Sequence, residues 1–573
     1  MKILLTALNA KYIHTNLAVR YLKQMAKQAG FDVKIAEYTV NDLFDRILCN
    51  LYQEKPEILA FSCYLWNLPL VCRLCAELKK VLPATRIWVG GPEVSCRGRA
   101  FLEQNPAVEL VMEGEGEIVF PHLLEAVKNR QPLNGVAGIW LWGPAGPQYS
   151  GDAAPVSMDE LPFAYDDLDT LENRILYFES SRGCPFSCSY CLSSKGGARW
   201  MDPARACQYL AFFLKKRVRQ VKFVDRTFNA KAAHCNTILD YLLKNDNGIT
   251  NFHFEISADL LTDETIALIR QARPGLFQFE IGVQSANPET LRAIHRNSSL
   301  ERLFKRTAQL KECGNCHLHL DLIAGLPFEG YDSFAHSYDS VFHAEPDMLQ
   351  LGFLKVLGGS AMERDSLAYG ILHQDQPPYE VLQTPWLTFE ELIRLKGIDT
   401  LTDRYYNSGR FRTCLSWILS QEISPFRFFE SFASYLNDKG LLDQKPGKFD
   451  DYRWLLQFYE TYCGKERKDI LAWRMRHDIF CRENAKGVPD FIPRSLLGPT
   501  RLEMERRWKD ASWRMRVFPE FSGRMPPQEV HLEKYPFHII TGEEGSCTVL
   551  YDYRQRDLYG NARIVVLNDD HFA

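Results

Sequence analysis

Nowhere does this 573-residue sequence reach the ~20 consecutive apolar residues of a membrane-spanning helix. Its first run, Met1-Lys-Ile-Leu-Leu-Thr-Ala-Leu8, turns polar at Asn9-Ala-Lys-Tyr12 and so lacks the long apolar core of a secretory signal. Both absences point to a cytoplasmic protein. An excess of charge of either sign is lacking as well. A formal net charge of -4 argues against a surface that grips nucleic acid everywhere, while leaving room for a local basic patch. The 16 cysteines, without a secretory signal, read as reduced thiols and not as a disulfide framework. Hydrophobic content of 46% and charged content of 24% are ordinary for a globular protein, and the length has room for three or four domains.

What is present begins with alternation over residues 1–150. Strand-like Lys2–Leu5, Phe31–Ala36, Ile58–Phe61, Arg86–Val89 and Glu109–Met112 alternate with helix-like Leu17–Gln28, Asp42–Gln53, Leu70–Val81 and Ile118–Lys128. That rhythm predicts a doubly wound parallel sheet, with its ligand beyond the carboxyl ends of the strands. The loops there read Asn9-Ala-Lys-Tyr-Ile-His-Thr-Asn16, Ser62-Cys-Tyr-Leu-Trp66, Gly90-Gly-Pro-Glu-Val-Ser95 and Glu113-Gly-Glu-Gly-Glu117. No G-x-G-x-x-G follows the first strand, which argues against a dinucleotide site. A Rossmann-like domain without a ligand is the plain alternative, since Gly-Gly-Pro also makes tight turns.

Composition shifts to Pro, Gly and Asp between residues 131 and 173, predicting a short hairpin around Gly138–Trp142 and then a linker. Alternation resumes over 174–365 with strands at Ile175–Phe178, Val221–Val224, Phe252–Ile256, Phe277–Ile281, His317–Leu320 and Leu349–Phe353. Six β/α units make a partial barrel, whose functional residues stand at the carboxyl ends of its strands. At those ends lie Asp225, Glu255, Glu280, Gln284 and Gly325-Leu-Pro-Phe-Glu329, with Arg296 in a following turn. Each alone is weak, because a polar residue closing a strand is often only a helix cap.

The stretch that joins them into one site follows the first barrel strand. In Glu179-Ser-Ser-Arg-Gly-Cys-Pro-Phe-Ser-Cys-Ser-Tyr-Cys191, the cysteines Cys184, Cys188 and Cys191 are spaced C-x3-C-x2-C on one loop. Three thiolates without a fourth Cys or His at short spacing suit an iron–sulfur cluster better than a structural zinc. The alternative is three buried thiols that merely pack. Cys72-x-x-Cys75 and Cys313-x-x-Cys316 lack companion ligands and read as small buried residues before redox pairs or ligands of a second cluster.

This cysteine loop, with Tyr190 before its last thiol, resembles the signature of the radical S-adenosylmethionine (SAM) superfamily. The resemblance implies a [4Fe-4S] cluster on Cys184, Cys188 and Cys191 whose open iron chelates SAM. It implies SAM contacts from Tyr190, Asp225, Glu255, Glu280, Gln284, the Gly325-Leu326 backbone and Arg296, and an electron donor such as flavodoxin or ferredoxin. The first-domain loops resemble the cobalamin-binding domain found ahead of many such enzymes. That likeness implies corrin or nucleotide-tail contacts from Ser62, Tyr64, Gly90, Gly91, Pro92, Gly114 and Glu115, and places His14 where the family's D-x-H-x-x-G motif has its cobalt ligand. Tyr12 and Leu17 depart from that motif in place of Asp and Gly. Without the orienting carboxylate, His14 either ligates cobalt, caps a helix or contacts the corrin.

Residues 370–573 carry no recognisable catalytic motif and are read as a mostly helical lid or substrate-recognition domain ending in a small antiparallel sheet, at Phe537–Ile540, Cys547–Tyr551 and Arg563–Leu567. Trp-Arg-Met-Arg occurs twice, at Trp473–Arg476 and Trp513–Arg516, and residues 465–516 hold 14 Lys or Arg against 8 Asp or Glu. This is either an anion-binding face or, more simply, a helix surface with Arg stems lying over buried Trp. The whole resembles the cobalamin-dependent radical SAM class with a carboxy-terminal domain of unassigned function. The resemblance implies cleavage of SAM to a 5′-deoxyadenosyl radical and methylation of a substrate carbon from methylcobalamin. Rearrangement, cyclisation or oxidation without methyl transfer is the alternative within enzymes, and a corrinoid carrier or sensor the alternative outside them. An RNA methylthiotransferase is disfavoured, because that family begins with a domain of cluster cysteines. The substrate is not legible.

Overall fold

In the computed structural model, every residue is described except 167, 169–170, 195–196, 422, 463, 465, 486, 497–508, 518–528, 558–559 and 568–573, together with the side chains of 194, 514, 516 and 517. The chain divides into two compact units, Met1–Phe334 with Gly352–Phe389, and Ala335–Leu351 with Glu390–Ala573.

The first unit holds two sheets. Strands β1 (Ile3–Asn9), β2 (Val33–Thr39), β3 (Ile58–Ser62), β4 (Arg86–Gly90) and β5 (Leu110–Met112) pair in parallel in the order β2-β1-β3-β4-β5. Helices α1 (Leu17–Gln28), α2 (Phe44–Glu54), α3 (Leu68–Val81), α4 (Gly98–Gln104) and α5 (Gly116–Lys128) connect them. Every residue of β1 is buried, as expected when helices cover both faces. One face packs Leu5, Ala60, Trp88 and Leu110 against Val119, Phe120 and Leu123 of α5, and the other packs Leu4, Leu59, Ile87 and Val111 against Val71, Leu74 and Leu78 of α3. The expected hairpin exists, but it belongs to the sheet: β6 (Ile139–Gly143) pairs antiparallel with β5, and β7 (Gly146–Tyr149) with β6.

Strand order reverses between β1 and β3, so the crevice of this sheet opens between the loop after Asn9 and the loop after Ser62.

The second sheet begins with β8 (Leu176–Phe178). The short strands β9 (Ser181–Arg182) and β10 (Arg199–Trp200) pair antiparallel as the stem of the cysteine loop. Next come β11 (Gln220–Phe223), β12 (Asn251–Ile256), β13 (Phe277–Gln284), β14 (His317–Ala324) and β15 (Met348–Phe353), whose last two residues belong to the first unit. The six-stranded order β15-β14-β13-β12-β11-β8 is that of a partial barrel, all the predicted strands being present. Here the strands alternate. Phe178, Phe223, Phe254 and Phe279 are fully buried and packed ring to ring, whereas the intervening side chains are polar and only part-buried.

The second unit is mostly helical, with Phe389–Leu401 running into a π-helical turn at Thr402–Asn407, then Arg412–Leu419, Pro425–Asp438, Asp450–Tyr462 and Lys468–Arg482. It ends in an antiparallel sheet of Val530–Phe537, Glu544–Arg556 and Ala562–Leu567. The first of these strands lies earlier than the expected Phe537–Ile540, because polar His531, Glu533 and Lys534 hide its period. Arg474 and Arg476 are buried, with Arg476 forked onto Glu533 at 2.7 and 2.9 Å. They therefore build the interior of this unit and do not form an exposed anion-binding face. The side chains of Arg514 and Arg516 lie outside the described residues. No helix among the described residues is long and apolar enough to cross a membrane.

Candidate active site

The cysteine loop leaves the sheet at the carboxyl end of β8. Gly183 starts it with a φ of +85°, and a side chain there would run into the carbonyl of Gly197, so only glycine lets the loop close on its own stem. The loop is pinned at several points. Ser189 N–H donates to Ile294 C=O at 3.0 Å and its carbonyl accepts from Met362 N–H at 2.8 Å, while Ser193 N–H donates to Cys191 Sγ at 3.4 Å. Cys184 Sγ lies 3.5 Å from Thr227 Oγ1, and Arg296 Nη1 lies 4.0 Å from Cys188 Sγ. Burial raises the Cys188 thiol pKa and Arg296 opposes it. Among the described residues no three Cys, His, Asp or Glu are gathered around one point as for a single metal ion. Three thiols on one loop at C-x3-C-x2-C spacing suit a polynuclear cluster, one thiolate to each of three irons. Tyr190 is half-buried near Arg296, which also donates to Gly282 C=O.

At the root of the loop Asp225 is fully buried. It accepts from Ser180 N–H at 2.9 Å, Ser180 Oγ at 2.6 Å and Ser181 Oγ at 2.7 Å. Burial pushes its carboxyl up to about 7 despite those donors. Both its oxygens are thus engaged by the segment just before the cysteines.

The inner face of the barrel is polar in layers set by strand register. Tyr177, Lys222, His253, Gln278 and His317 form one layer, and Glu255, Glu280 and His319 the next. Lys222 Nζ and His253 Nε2 each lie 3.0 Å from Glu280 Oε2. Burial works against the Glu280 charge, but His253 and Lys222 bring its pKa down to about 2. Burial raises Glu255, against the pull of Arg226.

Above these layers Asp321 stands in register with Gly282, and burial drives its pKa well up, aided by Glu280 and Glu255. Its Oδ1 and the Oε1 of Gln284 are buried acceptors with no hydrogen-bond partner. Gln284 is also held at a φ of +72°, a strained conformation that clusters at functional sites. Gly325 (φ +87°) and Leu326 follow β14, and a side chain on Gly325 would run into Val381. Asp321 was not singled out from the sequence, yet the alternation His317, His319, Asp321 carries it on the same face.

On the first sheet, the four loops stand together at the carboxyl ends of β1, β3, β4 and β5. Gly91 has a φ of +120° and backs onto the Cys63 carbonyl, where no side chain fits. Ser95 Oγ links two loops, donating to Gly91 C=O at 3.0 Å and accepting from Gly114 N–H at 3.1 Å. Beside Ser62 and Gly90, Tyr64 stacks on Trp66 at 4.5 Å, and Pro92 precedes Glu93, which accepts from Tyr379 OH at 2.6 Å. Tyr12, Ile13 and Trp66 are 64%, 44% and 48% exposed, an apolar patch at the crevice.

His14 bridges to Ile175, and its Nδ1 hydrogen-bonds Tyr177 OH at 2.7 Å. Burial, then Lys11 and Lys222, lower its pKa. The group on that nitrogen is therefore a hydroxyl from the second sheet, in the place the motif gives to a carboxylate two residues earlier. Glu115 does not face open space: Arg182, Arg199 and Val156 N–H all reach its carboxylate.

Comparison with known proteins agrees with this geometry. Residues 3–124 match the B12 binding domain, residues 178–341 the radical SAM superfamily, and residues 367–551 a protein of unknown function, DUF4080. The cobalamin-dependent radical SAM methyltransferase TokK of Streptomyces tokunonensis is 26% identical over 498 residues, 80% of this chain and 65% of TokK. The anaerobic magnesium-protoporphyrin IX monomethyl ester cyclase of Rubrivivax gelatinosus is 25% identical over 351 residues, 58% of this chain and 62% of the cyclase. The chain thus spans under two thirds of the length of either relative. Among solved structures, the cobalamin-dependent SAM radical enzyme OxsB with aqua-cobalamin and SAM bound shares the fold, with a TM-score of 0.58 at 16% identity over 90% of this chain and 81% of OxsB. By its cysteine loop, its two sheets and these matches, the chain joins a B12 binding domain to a radical SAM superfamily domain and a carboxy-terminal domain of unknown function.

Proposed function

We propose that this chain binds a [4Fe-4S] cluster, SAM and cobalamin and methylates a carbon atom of its substrate. The observation that carries the reading is the three-thiol loop at the mouth of a barrel whose next layer holds two buried, unpartnered acceptors, Gln284 Oε1 and Asp321 Oδ1. Two orphaned polar groups at the ends of neighbouring strands β13 and β14 suit a polar ligand such as the ribose of SAM, and leaving them bare in the folded state costs free energy. When bound, the cluster and the corrin supply the electron and the methyl group.

The protein's part is to hold and exclude. Cys184, Cys188 and Cys191 hold the cluster, with Tyr190 packed behind them. Arg296 lies against Cys188 and pairs with the SAM carboxylate, Glu255 and Glu280 contact its polar groups from the barrel floor, and the Gly325-Leu326 backbone approaches the adenine. Asp225 acts through the serines it clasps, as a positioning residue. On the first sheet, Ser62, Tyr64, Gly90, Gly91, Pro92 and Gly114 line the corrin crevice, and the exposed Tyr12, Ile13 and Trp66 fit an apolar macrocycle. An electron carrier such as flavodoxin or ferredoxin feeds the cluster from the cytoplasm. Similarity to a cyclase keeps a second reading in view, radical cyclisation or oxidation without methyl transfer.

Anaerobic reconstitution should give about four iron and four sulfide per chain, and replacing all three cysteines by Ala should abolish both. A triple variant that keeps a reducible cluster sinks the site. Product analysis with deuterated-methyl SAM decides the chemistry: label in the product supports methylation, and turnover without label selects the second reading. Electron paramagnetic resonance of bound cob(II)alamin tests His14, since nitrogen splitting that disappears in His14→Ala is the mark of ligation.

A further inference from the structure

The two stem residues of the cysteine loop, Arg182 and Arg199, face each other across the β9–β10 pair. Two guanidinium groups directly opposite on paired strands repel. What neutralises them comes largely from the other sheet. Glu115, just before α5, is within 3.4 Å of Arg182 Nη1 and is also ion-paired to Arg199. Glu117, in the first turn of α5, accepts from Arg182 Nη2 at 2.7 Å. Glu179 adds 2.8 and 2.9 Å contacts from within the stem segment. Arg182, Glu117 and Glu179 side chains are only 19%, 8% and 9% exposed, so water does little to screen them. The segment Glu113–Glu117, which runs from the end of β5 into α5, also carries Gly114 at the corrin crevice. One five-residue segment thus contributes to the corrin site and holds both ends of the cluster loop.

We propose that Arg182, with Glu115, Glu117 and Arg199, is a positioning network through which the corrin crevice and the cluster loop set each other's geometry. Each cofactor then binds more tightly when the other is in place. The inference rests on the reading that both cofactors bind this chain. Coupling of this kind is reciprocal, so affinity for one group measured with and without the other reports it. Because Arg182 makes its contacts as a planar fork, Lys at this position keeps the charge and loses the geometry.

The test uses the full chain, either free of cluster or reconstituted anaerobically, titrated with hydroxocobalamin and followed by its absorption spectrum. In the wild type, cobalamin should bind at least about fivefold more tightly once the cluster is present. Arg182→Lys should reduce that ratio to within about twofold of unity while leaving the affinity of the cluster-free chain within about twofold of wild type. Glu117→Gln approaches the network from the first sheet and should do the same, and the double variant should be no worse than either single one, as expected for a shared contact. Equal affinity with and without the cluster in the wild type overturns the inference while leaving the proposed function standing. Variants that weaken cobalamin in both states but preserve the ratio overturn it too, since the network would then be scaffolding alone. Absence of cobalamin binding in either state defeats the proposed function instead.

Discussion

The two sheets of the first unit are built on opposite rules. Residues 3–9 of β1 are buried without exception, and β3 and β5 read the same way, because helices lie on both faces. On β13 and β14 every second residue is buried and its neighbours look into the barrel. The central strands of the first sheet are core on both faces, and whatever the sheet binds must sit beyond their ends. The second sheet is a core on one face and a reaction chamber on the other, so its strands themselves carry chemistry. A barrel interior is usually filled with branched apolar side chains. Here Lys222, His253, Gln278, Glu280 and His319 occupy it, a choice that adds desolvation cost and makes sense where ligand groups complete the hydrogen bonding.

This contrast breaks down if substitutions on the two faces of one barrel strand behave alike. Phe254 is fully buried among Phe223, Phe228, Phe277 and Phe279. Phe254→Ala should cost about 3–5 kcal/mol in urea unfolding of the cofactor-free chain, as should Trp88→Ala at the centre of the first sheet. Next in size is Lys222→Met, which leaves the Glu280 carboxylate leaning on His253. The expected loss is about 1–2 kcal/mol, less than for a fully buried pair because the two side chains stay 25% and 22% exposed. The stabilising contribution of Glu280, whose carboxyl is held near 2, is present above its unfolded value of 4.5 and is lost as pH falls through about 2. Between pH 5 and 8 the part of the Lys222→Met loss that comes from Glu280 should therefore be constant.

Asp225 sharpens the comparison through pH. Its folded value of about 7 is raised from 3.8, so its contribution is fully present below 3.8 and is lost as pH rises through 7. Urea midpoints of cofactor-free Asp225→Asn should gain on those of the wild type as pH rises from 5 to 8, whatever the substitution does to the baseline. An unchanged difference would mean the carboxyl is ionised in its serine clasp. Smallest in stability is Glu255→Gln, one residue from Phe254. It should leave unfolding within about 0.5 kcal/mol of wild type while weakening SAM binding roughly tenfold, about 1.4 kcal/mol, in equilibrium titration of the reconstituted protein.

How much of this was legible in the sequence follows from the same difference. Both sheets were readable because apolar runs and period-two alternation are local signals, and the cysteine loop was readable because cluster ligands lie close together along the chain. The clasp of Asp225, the Tyr177 hydroxyl on His14 and the hold of Glu115 on two arginines were not. Each joins residues 44 to 163 positions apart, and nothing in the local pattern marks the partner. Arg474 and Arg476 misled for the converse reason, since charge on a helix reads as surface until the glutamate that receives it, Glu533, is brought in from another element. Asp321 lay in plain alternation with His317 and His319 and needed only the strand to be followed two residues further.

The hairpin on the edge of the first sheet has a bearing on how the chain survives its own folding. Without it, the sheet would end at Leu110-Val-Met112, a short apolar strand with a bare row of backbone donors and acceptors that invites another chain to pair with it. Strands β6 and β7 shift that border outward to Gly146-Pro-Gln-Tyr149, four residues that include an imino acid unable to donate a ladder hydrogen bond. A cluster assembled after synthesis leaves the chain waiting in its empty form, and over that interval a short, proline-bearing border gives another chain little to pair with.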